Sequence, residues 1–251
     1  MINKRIIGVI NVKDKIAVQS FGFNRYLPLG DPIICAENLN RWKVDEILVH
    51  VLDQPSYEIG PDFELLKKIS SLNLTTPLIY GGGIRNKSDA QRVIEFGADR
   101  ISISNILNTY DYFEKVQEIS MNLGSQAIVL SIPSIIYKNI FYIYNYKEKL
   151  LSTDNLIKVN KLLSADLISE IILIDKQNEG FSNKFNEDLL KKFPFKNINK
   201  ILFGGISKPK QIDRLLSNDD VAAVAIGNFL NYKECAYKLL KRKIEYSDVR
   251  K

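Results

Sequence analysis

Apolar segments of strand length alternate with amphipathic segments along the whole chain. Residues 5–12, RIIGVINV, are almost continuously apolar, as in a parallel strand that is buried on both faces. Residues 88–96 instead carry apolar side chains at helical spacing. Eight strand and helix pairs with short links predict an α/β protein with a closed (β/α)8 barrel (TIM barrel), and not an open doubly wound sheet. The predicted strands are residues 5–12, 47–52, 78–80, 100–104, 127–132, 171–174, 201–203 and 222–226.

Capping signals mark the helix boundaries. Asp31 followed by Pro32 is typical of an N-cap with proline at the first helical position, so a helix is predicted to begin there. The other predicted helices are residues 61–72, 88–96, 110–123, a segment capped by residue 153 or 154, 187–193, 209–216 and 232–241.

Two segments do not fit this regular alternation. Residues 13–31 form a long predicted connection, which in a compact α/β protein is often a lid over a site. Residues 137–151 alternate aromatic and polar side chains after the fifth strand, which we predict to end at Pro133. We interpret this segment as an inserted hairpin packed on the barrel rim, although its aromatic side chains could also form a binding surface.

The bulk composition predicts one domain that spans residues 1–251. The chain has 45% hydrophobic and 25% charged residues, and no linker interrupts it. Its net charge of +6 comes from dispersed lysines, which favours phosphorylated ligands over nucleic acid as partners. Cys35 and Cys235 are far apart in sequence and are expected to be reduced thiols, as in a cytoplasmic protein.

The sequence also argues against a membrane and a metal. It contains no signal peptide and no apolar run of membrane length, so no membrane partner is expected. His50 is the single histidine and lies in an apolar strand, where a barrel-wall role is favoured over catalysis. Without a second histidine or clustered cysteines, we expect no metal site, and we expect no other cofactor.

A glycine turn occurs twice in the same surroundings. Residues 78–105 contain a strand, the turn GGG, a helix and a second strand that ends near Asn105. Residues 202–230 repeat this plan, with Asn228 in the place of Asn105. Such a turn suits a phosphate, because glycine lets the backbone approach and the helix N-terminus favours an anion. One copy could be a tight turn without a ligand, but the repeat favours two half-barrels with one phosphate site each.

The active site of a (β/α)8 barrel lies at the C-terminal ends of its strands. On this face we predict Asn11, Asp53 and the region of Pro133, together with both glycine turns. The predicted phosphate-binding residues are Gly82, Gly83, Asn105, Glu179, Gly180, Gly205, Gly227 and Asn228. Because the two turns lie on opposite sides of the barrel, they predict a ligand with a phosphate at each end.

Several motifs are spread over nearly the whole chain. They are KRIIGVINVKD at 4–14, LGDP at 29–32, VDE at 44–46, GGGIRNKSDA at 81–90, GADRISISN at 97–105, GSQAIV at 124–129, NEG at 178–180 and FGGISK at 203–208. As a set they make the chain resemble the cyclase subunit of imidazole glycerol phosphate synthase, the HisF-like barrels. The resemblance implies a doubly phosphorylated ribose-type substrate on one face. It also implies a class I glutaminase (HisH-like) on the N-terminal barrel face, which delivers ammonia through the barrel centre.

The chain departs from this family at the positions that carry its acid and base. The family has aspartates at the ends of strands one and five, where this chain has Asn11 and Pro133. Asn11 therefore occupies the catalytic position, but neither residue can exchange a proton in general acid–base catalysis, which is typically worth ~10²–10⁴-fold in rate. The family's loop lysine is Gln19 here, and Asp53 is offset by two positions from the family's strand-two aspartate.

The opposite face keeps the family's charges. The resemblance implies a ring of two basic and two acidic residues around the ammonia entrance, and the matching residues are Arg5, Glu46, Arg100 and Glu170. All four have the expected sign, which favours an ammonia gate. Ordinary stabilising ion pairs at strand starts are the alternative.

Three functions remain open from the sequence. The first is an ammonia-using synthase subunit that works with a glutaminase on another phosphorylated substrate, since family paralogues amidate bacterial surface sugars. The second is a histidine-pathway cyclase that uses other residues, for example Asp14, Asp53 or Glu179. The third is a non-catalytic scaffold that binds a phosphorylated ligand and regulates the glutaminase.

Overall fold

The computed structural model describes residues 4–52, 59–146, 148–232, 235–245 and 249. Within these residues, eight parallel strands form the barrel wall: β1 Arg5–Lys13, β4 Glu46–Val51, β5 Leu78–Gly81, β6 Arg100–Ile103, β7 Ile128–Tyr137, β10 Glu170–Asp175, β11 Asn199–Phe203 and β12 Val221–Ile226. Each strand pairs with the next in chain order, and β12 returns to β1. Since β7 also pairs directly with β10, the sheet closes on itself.

Helices follow the barrel strands as predicted. The described α-helices are α1 Pro32–Arg41, α2 Phe63–Ser70, α3 Lys87–Glu95, α4 Tyr112–Leu123, α5 Asp154–Ser164, α6 Asp188–Lys192, α7 Pro209–Leu216 and α8 Ala236–Lys241. The Asp31 side chain accepts a hydrogen bond from the Ile33 amide at 2.8 Å, so the predicted cap of α1 is present. The predicted (β/α)8 barrel is thus confirmed.

The two halves of the barrel share a local plan. A glycine turn joins β5 to α3 and another joins β11 to α7. The following strands, β6 and β12, each lead into a four-residue 3₁₀-helix, Asn105–Asn108 in the first half and Asn228–Asn231 in the second. The repeat seen in the sequence is therefore also a repeat of backbone conformation.

Alternate strand residues point into the barrel and form a separate inner core. This inner core consists of the buried residues Ile7, Val9, Leu48, Ile79, Val129, Ile172, Ile174, Ile201, Phe203, Ala223 and Ala225. Phe23, from outside the wall, packs against it. The remaining apolar strand residues face the helices and form the larger core.

Residues 13–31 are not a structureless loop. They fold into an antiparallel hairpin of β2 Ile16–Phe21 and β3 Arg25–Gly30, which we call the mouth hairpin. Strand β2 continues the sheet by pairing with the end of β1, with Asn11 opposite Val18. The buried residues Ala17, Val18 and Ser20 hold this hairpin against the barrel.

The insertion after the fifth barrel strand is also a β structure, as predicted. Strand β7 runs on to Tyr137 and pairs with β8 Ile140–Asn145, which in turn pairs with β9 Leu150–Ser152. The prediction that Pro133 ends the strand is wrong. Pro133 is still paired with β10, and from Ser134 onward β8 takes up the strand, so one missing N–H does not end it.

Candidate active site

A chamber of about 570 Å³ opens at the C-terminal ends of the strands. Its walls come from the first glycine turn, the ends of β4, β6, β7 and β10, the mouth hairpin and the β8 end of the insertion. This volume suits a small-molecule ligand. Among the described residues that line it there is no aspartate or glutamate, while Lys13, Lys149 and Lys176 are present. The chamber is therefore suited to an anion.

The first glycine turn requires glycine at both predicted positions. Gly82 and Gly83 have φ values of 136° and 71°. A Cβ at Gly82 would lie 2.7 Å from the Val51 carbonyl oxygen, and one at Gly83 would lie 2.3 Å from the Gly60 carbonyl oxygen. Both glycines line the chamber together with Asn105. The turn thus brings bare backbone to the chamber at the start of α3, as a phosphate site needs.

The second predicted phosphate group lies elsewhere. Gly205, Gly227 and Asn228 line a separate cavity of about 40 Å³ together with Glu179 and Gly180. The structure brings these five residues together, but it does not bring them to the chamber.

The Asn228 amide in this cavity is engaged by the mouth hairpin. Its Nδ2 donates to the Ser20 carbonyl at 2.7 Å, and its Oδ1 accepts from the Ser20 amide at 3.2 Å. Gly180 is in close contact with the same carbonyl, since a Cβ there would lie 2.0 Å from the Ser20 oxygen. The hairpin backbone therefore contacts Asn228 and Gly180, two of the residues predicted to bind a phosphate.

Glu179 fastens the same hairpin. Its carboxylate accepts from the Ser20 hydroxyl at 2.8 Å and from the Phe23 amide at 3.1 Å, and its carbonyl accepts from the Gly22 amide at 2.9 Å. Burial raises the pKa of Glu179, and these hydrogen bonds oppose the rise. Both of its carboxylate bonds are made to the hairpin.

Asn11, predicted at the catalytic position, and His50, predicted as a barrel-wall residue, lie on the neighbouring strands β1 and β4. Asn11 pairs with His50 across the parallel strands. Asn11 is buried, and its Oδ1 has no hydrogen-bond partner among the described residues. It borders a small cavity against α1, whereas His50 lines the chamber. Burial lowers the pKa of His50 to about 4, so its imidazole is neutral at neutral pH.

One wall of the chamber is aromatic and basic. The aromatic side chains of the insertion were predicted from the sequence only as an alternative binding surface, and the lysine was not predicted. Tyr144 and Tyr146 lie two positions apart at the end of β8, and both line the chamber. The Lys176 ammonium lies 4.4 Å from the centre of the Tyr144 ring, and burial lowers the pKa of this lysine. The period of two in the insertion was the available signal, but it did not show which face pointed to the site.

Asp14, a further acidic candidate, does not line the chamber. The Asp14 side chain is 80% exposed and pairs with Lys13 at the surface. Asp53 lies outside the described residues. Where the structure is described, no three His, Cys, Asp or Glu side chains are grouped to hold a metal. None of the described helices is long and apolar enough to cross a membrane. Cys35 and Cys235 are both free thiols.

The opposite end of the barrel is closed by the predicted charged ring. Arg5 bonds Glu46 at 2.8 Å and also bonds Glu170. Arg100 bonds Glu170 at 2.6 Å and lies 3.6 Å from Glu46. Each residue is the first of its strand, so the four side chains meet at the N-terminal face. The two charge signs alternate around a closed circuit, which we call the charged ring.

The charged ring is largely withdrawn from solvent. Its side chains are 7–17% exposed. Burial raises the pKa of Glu46, while Arg5 and Arg100 oppose the rise. The inner core lies between the ring and the chamber. The barrel axis therefore passes from the charged ring, through apolar side chains, to a cationic chamber.

Comparison with known proteins agrees with this architecture. A family model described as "Histidine biosynthesis protein" matches residues 5–236. The chain is 27% identical over 237 residues to a "Putative imidazole glycerol phosphate synthase subunit hisF2" of Vibrio vulnificus (strain YJ016), covering 93% of this chain and 85% of that protein. It is 27% identical over 248 residues to the "Imidazole glycerol phosphate synthase subunit HisF" of Campylobacter concisus (strain 13826), covering 98% and 96%.

A third relative is the "Imidazole glycerol phosphate synthase subunit HisF" of Staphylococcus epidermidis (strain ATCC 12228 / FDA PCI 1200). It is 27% identical over 254 residues, with 97% of each chain covered. The match thus includes the charged ring, both glycine turns and the chamber wall. The chain belongs to the histidine biosynthesis protein family, as a barrel of the HisF-like type.

Proposed function

We propose that this chain is the synthase subunit of a glutamine amidotransferase. A partner glutaminase docks on the N-terminal face, ammonia enters through the charged ring, and a phosphorylated substrate held in the chamber receives it. The observation that carries this proposal is the arrangement of one barrel with a closed ring of alternating charges at one end and a cationic, phosphate-suited chamber at the other. An acceptor other than the histidine intermediate, such as a surface sugar, fits the chamber's lack of described carboxylates.

The ring supports a gate because its interactions can be exchanged in pairs. Arg5 contacts both glutamates, and so does Arg100, so either arginine can swing toward one partner while the other holds the second glutamate. Ammonia, unlike the ammonium ion, is uncharged, so it can pass apolar side chains that exclude ions. A glutaminase that covers the N-terminal face would keep the ammonia away from bulk water.

The first glycine turn supports a phosphorylated substrate. Gly82, Gly83 and Asn105 present backbone and a short polar side chain to the chamber. Lys176 adds a positively charged side chain to the lining of the same chamber. In this proposal the separate small cavity receives a second phosphate only when Ser20 of the mouth hairpin moves away from Asn228. The predicted phosphate-binding residues of that cavity are Glu179, Gly180, Gly205, Gly227 and Asn228.

A histidine-pathway cyclase is the second candidate, because two of the compared relatives carry that synthase name without qualification. It would need a proton donor and acceptor in place of Asn11 and Pro133. Among the described acidic candidates, Glu179 is bound to the mouth hairpin and Asp14 is exposed. Growth of a cyclase-deleted histidine auxotroph that expresses this chain would establish the cyclase. Absence of growth at verified expression would reject it.

The proposed subunit is tested by binding to the class I glutaminase encoded in the same genome. Size-exclusion chromatography should show a one-to-one complex, and hydrogen exchange should slow around the charged ring but not around the chamber. Neutralising Glu46 as Glu46→Gln should weaken the complex or its footprint. Glu64→Gln is the matched control, because Glu64 is an exposed charge at the N-terminus of α2 and belongs to no ring.

The outcomes separate the synthase subunit from the regulatory scaffold. A complex with a footprint on the ring supports the synthase subunit. A complex in which phosphorylated ligands change glutaminase activity but no aminated product forms would favour the regulatory scaffold. If no complex forms with the glutaminase, the proposal is wrong.

A further inference from the structure

Three buried polar atoms at the barrel mouth have no hydrogen-bond partner among the described residues. They are Asn11 Oδ1, His50 Nδ1 and Tyr146 Oη. Two of them belong to side chains that line the chamber, His50 on β4 and Tyr146 just after β8. Strands β4 and β8 are far apart in sequence, so it is the tertiary structure that brings these two side chains to the same chamber.

One aromatic ring lies between these two side chains. The Phe23 ring centre is 5.7 Å from that of His50 and 5.8 Å from that of Tyr146, with edge-to-face geometry at both. Phe23 belongs to the turn of the mouth hairpin, which Glu179 holds through the Phe23 amide. A shift of this turn would uncover both polar atoms at once.

Leaving a buried polar atom without a partner lowers the stability of the folded chain. Such atoms are rare in native proteins, and each is explained by an ordered water or ion, by local strain, or by a role in a functional site. Tyr80 provides the contrast within this chain. The Tyr80 side chain is fully buried, and its hydroxyl accepts a hydrogen bond from the Asp62 amide at 2.7 Å. The Tyr80 hydroxyl therefore has a hydrogen-bond partner, whereas the Tyr146 hydroxyl at the chamber has none among the described residues.

His50 also lies next to the first glycine turn. It pairs with Gly81, the residue that precedes Gly82 and Gly83. A phosphate on this turn would therefore place the adjoining carbon skeleton of the ligand beside the His50 ring. The Tyr144 and Tyr146 side chains line the same chamber.

We propose that His50 Nδ1 and Tyr146 Oη form a hydroxyl-recognition subsite for a sugar phosphate whose phosphate lies on the Gly82–Gly83 turn. This inference rests on the proposed function, and it specifies the substrate class of the same chamber. The neutral imidazole accepts a hydrogen bond from a sugar hydroxyl at Nδ1. The tyrosine hydroxyl donates to a second sugar oxygen, and the aromatic rings cover the apolar face of the sugar.

The test compares two probes, ribose 5-phosphate and inorganic phosphate, by isothermal titration calorimetry. Both can use the glycine turn, but only the sugar phosphate can reach the subsite. We expect ribose 5-phosphate to bind about tenfold or more tightly than phosphate to the unmodified chain. Tyr146→Phe should lower the ribose 5-phosphate affinity about fivefold and leave phosphate affinity unchanged. His50→Leu should act in the same direction.

Thermal unfolding of the unliganded chain gives an independent readout. Tyr146→Phe removes a hydroxyl without a partner, so the melting temperature should stay equal or rise. Tyr80→Phe is the matched control, and it should lower the melting temperature because the Asp62 amide loses its acceptor. A purely structural role for Tyr146 predicts that both variants lose stability and neither loses affinity.

The results separate the subsite from the phosphate site. Unchanged ribose 5-phosphate affinity in both Tyr146→Phe and His50→Leu overturns the subsite and leaves the proposed function standing. Equal affinity of the unmodified chain for ribose 5-phosphate and inorganic phosphate also overturns the subsite and leaves the proposed function standing. If neither probe binds, the phosphate site of the proposed function is wrong, and this inference falls with it.

Discussion

The Glu179 carboxylate accepts a hydrogen bond from the Ser20 hydroxyl at 2.8 Å, and the same carboxylate oxygen accepts one from the Phe23 amide. These two bonds tie the mouth hairpin to the loop after β10. They place the Phe23 ring over the inner core and beside His50. Access to the chamber and the second glycine turn therefore depends on one buried carboxylate.

The first prediction concerns this tie. Glu179→Ala removes the acceptor of two hydrogen bonds, so hydrogen exchange across β2 and β3 should accelerate and stability should fall by about 1–3 kcal/mol. Glu179→Gln should keep most of the protection, because one amide oxygen can accept both bonds. Equal protection in the alanine variant and the unmodified chain would show that Glu179 does not hold the hairpin.

The second prediction concerns the charged ring. Arg5→Met leaves Glu46 and Glu170 buried with only Arg100 between them, so urea unfolding should show a loss of about 3 kcal/mol. Arg41→Met removes an arginine that is 68% exposed and pairs with Glu37, and it should cost about 0.5 kcal/mol or less. Similar losses in the two variants would mean that the ring is no more coupled than a surface ion pair.

The third prediction concerns pH. His50 is neutral in the folded chain down to pH about 4, but in the unfolded chain it takes up a proton near its ordinary pKa of 6.5. The unfolded state therefore binds more protons between these values, and stability falls as pH drops through this window. The full shift corresponds to roughly 3 kcal/mol.

His50→Leu should remove this contribution, so the stability difference between variant and unmodified chain should change as pH is lowered from 7 to 4. The other described ionisable side chains that line the chamber are lysines and tyrosines. Parallel stability profiles for the two chains would contradict the neutral, buried state of His50.

The fourth prediction concerns the first glycine turn. Gly83→Ala adds a Cβ that would lie 2.3 Å from the Gly60 carbonyl oxygen at a positive φ. Gly124 has a similar φ of 83° but nothing within 4 Å of an added Cβ. Gly124→Ala should therefore cost about 1–2 kcal/mol from backbone strain alone. Gly83→Ala should cost more in urea unfolding and should also abolish phosphate binding, and equal costs would contradict the close approach.

The barrel could be predicted from the sequence because its signals are local and repeated. Apolar strand runs, the Asp31–Pro32 cap and the duplicated glycine turn each specify their own segment. The mouth hairpin could not be predicted in the same way. Its strands are short and half-exposed, and what holds it is Glu179, which is more than 150 residues away in the chain.

The candidate site could be predicted only in part from the sequence, for the same reason. Gly82 and Gly83 could be predicted from their residue type, and the charged ring could be predicted from the signs of its charges. His50 and Tyr146 lie on either side of Phe23 only because the inserted hairpin folds back over the barrel, and no local sequence pattern predicts that fold. No local pattern shows that Ser20 of the mouth hairpin bonds Asn228 either.

The most direct test of the central claim is the rate of glutamine hydrolysis by the partner glutaminase, measured with and without this chain. We expect the unmodified chain to raise glutaminase kcat/KM about tenfold or more. Arg5→Met should lose most of this stimulation, and the surface variant Glu64→Gln should retain it. A glutaminase rate that does not respond to this chain would contradict a synthase subunit that draws ammonia through its charged ring.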